Sequence, residues 1–76
     1  SNIMAKSNNN LIRHFRIALS SAEITMTDFA ALHNVTHVAI NRVLRGKSTS
    51  KRLQTLIEQF IADQFAALKI EYRKAA

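Results

Sequence analysis

The side chains best able to do chemistry are cations, crowded into one stretch. Arg42, Arg45, Lys47, Lys51 and Arg52 all fall between Phe29 and Ile57, where no Asp or Glu occurs. The whole chain of 76 residues carries 11 Lys and Arg against 5 acids, a formal charge of +6. A single-signed segment of this kind is the footprint of a polyanion binder, because no neighbouring carboxylate neutralises its field. A basic surface kept for solubility is the plainer account, but it would spread the charge evenly. Histidine offers less. His33 and His37 are four apart, but a turn is expected between them, so they do not share a helical face as zinc-binding pairs do. With no third ligand near and no cysteine, neither a metal nor another cofactor is expected. No Gly-rich phosphate loop or nucleophile motif accompanies the acids and histidines, so the pattern does not suggest an enzyme.

The elements that must position these cations are legible from Thr25 to Lys47. Thr25 is a good N-cap, with Asp28 three residues on to complete a capping box and favour the positive end of the helix dipole. Phe29, Ala30 and His33 then fall near one helical face, and the helix should stop around His33 and Asn34, since Asn tolerates the left-handed conformation. Val35 is a turn residue with an apolar anchor, and Thr36 is a second N-cap. Apolar residues resume at Ile40, Val43 and Leu44, and Gly46, the only glycine, ends that helix. Helix, short turn, helix is the helix-turn-helix spacing.

Small Ala30, the turn residue Asn34, then Ile40 and Val43 resemble lambda-repressor-like and Cro-type domains without a gap. The run D-F-A-A-L-H-N-V-T-H-V-A-I-N-R-V-L is also similar to the lac-repressor-type reading head, down to its V-T turn and N-R-V-L ending. Asn34 stands where that family usually has glycine, and His33 where it usually has an apolar residue. The resemblance implies an all-α, compact helix-turn-helix domain of four to five helices, with the second motif helix entering the major groove of double-stranded DNA. It places His37, Val38, Asn41 and Arg42 at base edges, with Arg45 one turn on. The chemistry agrees: Asn can pair with adenine N6 and N7, Arg with guanine O6 and N7, and Val38 can touch a thymine methyl. Phosphates are expected at Thr27, Thr36, Lys47, Lys51 and Arg52. Ordinary surface roles for Asn41 and Arg42, and a mere helix-start role for His37, stay open.

Around this unit, residues 1–9 read as a polar, disordered tail, with Ser1 to Ile3 a tag remnant ahead of Met4. Residues 10–76 form one domain. Asn10 is expected to cap a first helix reaching about Ser20, with Leu11, Ile12, Phe15, Ala18 and Leu19 as its core stripe. Ile24 stands in staple position before Thr25. Ser50 or Thr49 is expected to cap a long C-terminal helix running to about Tyr72. Lys51 and Arg52 in its first turn oppose the helix dipole, which makes sense if a phosphate sits there, although both can also snorkel into water. Leu53, Leu56, Ile57 and Phe60 can pack on the first three helices. Ile61, Phe65, Leu68 and Tyr72 form a second stripe, expected to meet a second copy in a homodimer or else to fold back on its own domain.

No apolar run approaches the roughly 20 residues of a membrane span and no signal-peptide pattern appears, so a cytoplasmic protein without membrane association is expected. Nothing suggests a small-molecule ligand. The reading is a sequence-specific transcriptional regulator of phage or mobile-element type, a repressor acting by occupying a promoter. Two other readings remain open: a protein-interaction module, such as an antitoxin or phage adaptor working through its last helix, and an RNA binder, for which the Tyr and Phe residues at core spacings leave no evident stacking platform.

Overall fold

The computed structural model describes the backbone of residues 9–75 and the side chains of residues 10–70. Four helices follow in order: α1 (Asn9–Ala22), α2 (Met26–Leu32), α3 (His37–Leu44) and α4 (Lys51–Ala75). The all-α architecture with a long last helix is as expected, and no strand forms among the described residues. Nearly all of the expected tail, and the side chain of Tyr72, lie outside what is described.

Hydroxyls start three of these helices. Thr25 Oγ1 accepts from the Asp28 amide while the Thr25 amide donates to Asp28 Oδ2, both at 3.0 Å. This reciprocal box satisfies two groups that the first turn of α2 would otherwise leave unpaired. Thr36 Oγ1 accepts from the Ala39 amide at 3.1 Å. Of the two candidates for α4, Ser50 is the cap, accepting from the Leu53 amide at 3.3 Å. Asn10 is not a cap. The backbone is already helical at Asn9, so Asn10 lies inside α1.

The first three helices also end alike. Glu23, Asn34 and Gly46 take φ values of 60°, 58° and 72°, and each reverses the chain so that two amides reach back to carbonyls of the last turn. At α1 the Glu23 amide donates to Ser20 O and the Ile24 amide to Leu19 O, both at 3.1 Å. At α2 Asn34 donates to Ala31 O at 3.1 Å and Val35 to Ala30 O at 2.9 Å. At α3 Gly46 donates to Val43 O at 3.0 Å and Lys47 to Arg42 O at 2.8 Å. These are Schellman turns, and at α1 and α2 the residue after the left-handed one, Ile24 or Val35, packs on the core as that motif favours. The end at Ala22 instead of Ser20 has a physical reason. Ser21 Oγ, in the two added residues, donates to Gln64 Oε1 of α4 at 3.1 Å, and Glu23, not the serines, supplies the reversal.

The core forms where these helices converge. Phe15, Ala18, Leu19, Phe29, Ala30, Ile40, Val43, Leu44, Leu53 and Ile57 are buried, and no polar side chain is buried with them among the described residues. Phe15 meets Phe29 edge-on at 5.1 Å and Phe60 at 6.0 Å, while Phe29 and Phe60 are tilted at 4.9 Å. One aromatic cluster therefore joins α1, α2 and α4. Such pairs add about 0.5–1.5 kcal/mol each beyond the area they bury. α4, at about 1.5 Å per residue, is roughly 37 Å long. No helix among the described residues is long and apolar enough to cross a membrane.

The left-handed ends make a paired stability test. A side chain at that φ costs about 1–2 kcal/mol, so Gly46→Ala is expected to lower unfolding free energy by about 1 kcal/mol in urea titrations. Glu23→Gly is expected to raise it by about 0.5 kcal/mol or more, once the added freedom of the unfolded chain is subtracted. Equal effects of the same sign would mean the two turns are not held as described.

Candidate nucleic-acid interface

α3 is buried along one side only. Ile40, Val43 and Leu44 are within the core, at 0%, 5% and 2% exposure. At 3.6 residues per turn the opposite side carries Val38, Arg42 and Arg45, and all three are exposed. Val38 shows 56% of its surface to water, which no core requirement explains. His37 is exposed at the helix start, and Asn41 is half-buried at the edge between wet and dry faces. All five residues expected at base edges thus have some access to solvent, with Val38, Arg42 and Arg45 at the centre of the face.

Arg42 is not free. Its Nη2 donates to the Lys47 carbonyl oxygen at 3.2 Å, and the Lys47 amide donates to the Arg42 carbonyl oxygen at 2.8 Å. The two residues are tied in both directions across the turn at Gly46. The helix-turn-helix pattern alone does not imply this tie. The signal was nevertheless present: a glycine end places its last-turn residue and the residue after the glycine five apart, and here those are an Arg and a Lys.

The residues expected at phosphates are all exposed: Thr27 in the first turn of α2, Thr36 capping α3, Lys47 in the exit loop, and Lys51 and Arg52 opening α4. Their electrostatic settings differ. The start of α2 is closed by its own carboxylate, Asp28, whereas neither α3 nor α4 has an acid in its first turn. The positive ends of those two helix dipoles are therefore uncompensated from within the helix. The Thr36 oxygen is occupied as an acceptor, but its O–H remains able to donate. The loop between α3 and α4 is held by Ser48, whose Oγ accepts from the Ser50 amide at 3.2 Å.

Two histidines have packing roles. His33, where an apolar residue is usual in the resembling family, is half-buried with its ring 4.5 Å from that of Phe29. His14 meets Phe65 edge-on at 5.3 Å.

The stripe expected to meet a second copy is divided by the fold. Ile61 packs against the domain's own core. Phe65 and Leu68 are half-buried, and with Ile17 and Lys69 they line an open groove of about 420 Å³ between α1 and the outer half of α4. Ile17, 42% exposed, is the apolar residue α1 leaves uncovered there. α1 therefore covers part of the stripe, and an apolar patch remains beside it.

The two faces of α3 should separate in stability measurements. Ile40→Ala is expected to cost about 2–5 kcal/mol, whereas Val38→Ala should stay within about 0.5 kcal/mol of the parent. A large loss for Val38→Ala would place that side chain in packing and remove it from the outward face.

Comparison with known proteins leaves the site to be read from its own geometry: no protein-family model matches the chain, and neither does any curated protein or solved structure.

Proposed function

We propose that the protein is a sequence-specific DNA-binding regulator of transcription, a repressor working in the cytoplasm as a homodimer on a near-palindromic operator. The observation that carries this reading is the outward face of α3. Val38 and Arg42 point away from the core on a helix of eight residues, with exposed Arg45 as its C-cap and His37 and Asn41 flanking them, and the positive charge continues through Lys47 to Lys51 and Arg52. An α-helix fits the major groove, where base edges carry a distinct donor and acceptor pattern. The helix-turn-helix spacing of α2 and α3, and the resemblance to lambda-repressor-like domains, support the same reading. In a dimer, two copies of α3 would meet successive major-groove faces about 34–36 Å apart. The groove at Ile17, Phe65 and Leu68 is the surface through which the second copy would be held.

One observation favours a second reading. The same apolar groove would suit a different protein, making the chain an interaction module of antitoxin or adaptor type. Gel filtration with and without duplex separates the two. A dimer that shifts on adding DNA supports the regulator, and a monomer indifferent to duplex at moderate salt supports the module.

Titrations at two salt concentrations, on a selected duplex and a scrambled one, provide the sharper test. Arg45→Ala is expected to relax preference at one base pair by about 1–3 kcal/mol, leaving the scrambled duplex little changed. Lys51→Ala is expected to weaken both duplexes alike and to flatten the logarithmic salt slope by about one unit. Equal losses on both duplexes for Arg45→Ala would remove it from the base edge.

A further inference from the structure

Arg42 occupies the middle of the outward face of α3, yet its guanidinium is already engaged. Nη2 donates to the Lys47 carbonyl oxygen at 3.2 Å, and the Lys47 amide returns to the Arg42 carbonyl oxygen at 2.8 Å. In a Schellman turn these two positions commonly meet through apolar side chains. Here the contact is polar and runs both ways across a left-handed Gly46, φ 72°. The segment that follows, Lys47-Ser48-Thr49-Ser50, has no apolar side chain to anchor it. Its own tie is the Ser48 hydroxyl to the Ser50 amide, at 3.2 Å. The Arg42 guanidinium is the side chain of α3 that holds the start of this loop.

We infer that Arg42 acts on DNA through Lys47. It is a positioning residue that fixes the exit loop and so aims Lys47 at the phosphate backbone, while base discrimination on α3 falls to Val38, Asn41 and Arg45. This rests on the DNA-binding reading of α3. The chemistry argues for the division. A bidentate guanine contact needs the planar fork of the guanidinium presented to O6 and N7. To turn that fork fully towards a base, Arg42 must release the Lys47 carbonyl and leave the start of the loop to the backbone bonds of Gly46 and Lys47 alone. Arg45, one residue before the glycine, is exposed and carries no such tie among the described residues. Phosphate contacts set register and orientation without reading sequence, so a residue that aims one should affect all duplexes alike.

The test is a double-mutant cycle of Arg42→Ala and Lys47→Ala, read on selected and scrambled duplexes, with amide hydrogen exchange on the free protein. Losing one hydrogen bond of this kind is expected to speed exchange at the Lys47 amide by about two- to tenfold, without change at the core amides. On DNA, Arg42→Ala should weaken both duplexes by the same factor, and most of that loss should vanish in the Lys47→Ala background, since coupled residues are not additive. Additive losses mean that Arg42 works independently of Lys47, and a loss confined to the selected duplex makes it a base reader. Either result overturns the inference, as does unchanged exchange at Lys47, and all three leave the DNA-binding reading intact. Failure of the parent protein to bind either duplex overturns both.

Discussion

Burial of Ile40, Val43 and Leu44 sets the rotation of α3 about its axis, and most of what the protein presents outward follows from that rotation. Each of these side chains is worth about 2–5 kcal/mol against truncation, in a domain class whose whole stability is about 5–15 kcal/mol. Turning the helix by one residue, about 100°, would expose part of that set and drag Asn41 or an arginine inward. A buried guanidinium without a partner is far more costly than an exposed valine. The outward position of Val38, Arg42 and Arg45 is thus a consequence of the core beneath them. The seat itself is made by the rings of Phe15, Phe29 and Phe60, which bring α1, α2 and α4 to one point.

Short connections keep that seat rigid. Three helices stop within two residues of a left-handed backbone, at Glu23, Asn34 and Gly46, so each loop begins with last-turn carbonyls already satisfied. Hydroxyl caps at Thr25, Thr36 and Ser50 do the same at the other ends. Charge is distributed to match. Among the described residues the only carboxylate in a first helical turn is Asp28 of α2, and α1, α3 and α4 have none. The starts of α3 and α4 are the two beside the basic segment.

Much of this was legible in the amino-acid pattern because it obeys local rules. Thr25 with Asp28, Thr36, Asn34 and Gly46 each mark a boundary by a side chain or backbone preference that acts within four residues. The apolar spacing of α3 likewise separates its two faces without reference to any other helix. What escaped the pattern depends on partners distant in sequence or on a residue acting against type. Glu23 adopts a conformation that glutamate normally avoids, and the two added residues of α1 carry a hydrogen bond 43 residues away, from Ser21 to Gln64. His33 fills an apolar position by lying against Phe29, which its polarity disguises. The division of the α4 stripe was also out of reach, because whether Ile61 faces inward depends on how α1 crosses it. Within the candidate site, the identities and exposure of the residues were readable and the engagement of Arg42 by Lys47 was not.

Whether the wet side of α3, with the loop behind it, meets DNA as proposed is read from backbone amide shifts recorded as a selected duplex is added to isotope-labelled protein. The largest changes are expected on His37, Val38, Asn41, Arg42 and Arg45 and on the loop from Gly46 to Ser50, leaving the amides of Ile17, Phe65 and Leu68 nearly still. Changes confined to that α1–α4 groove, or none on α3 while the duplex is demonstrably bound, would contradict it.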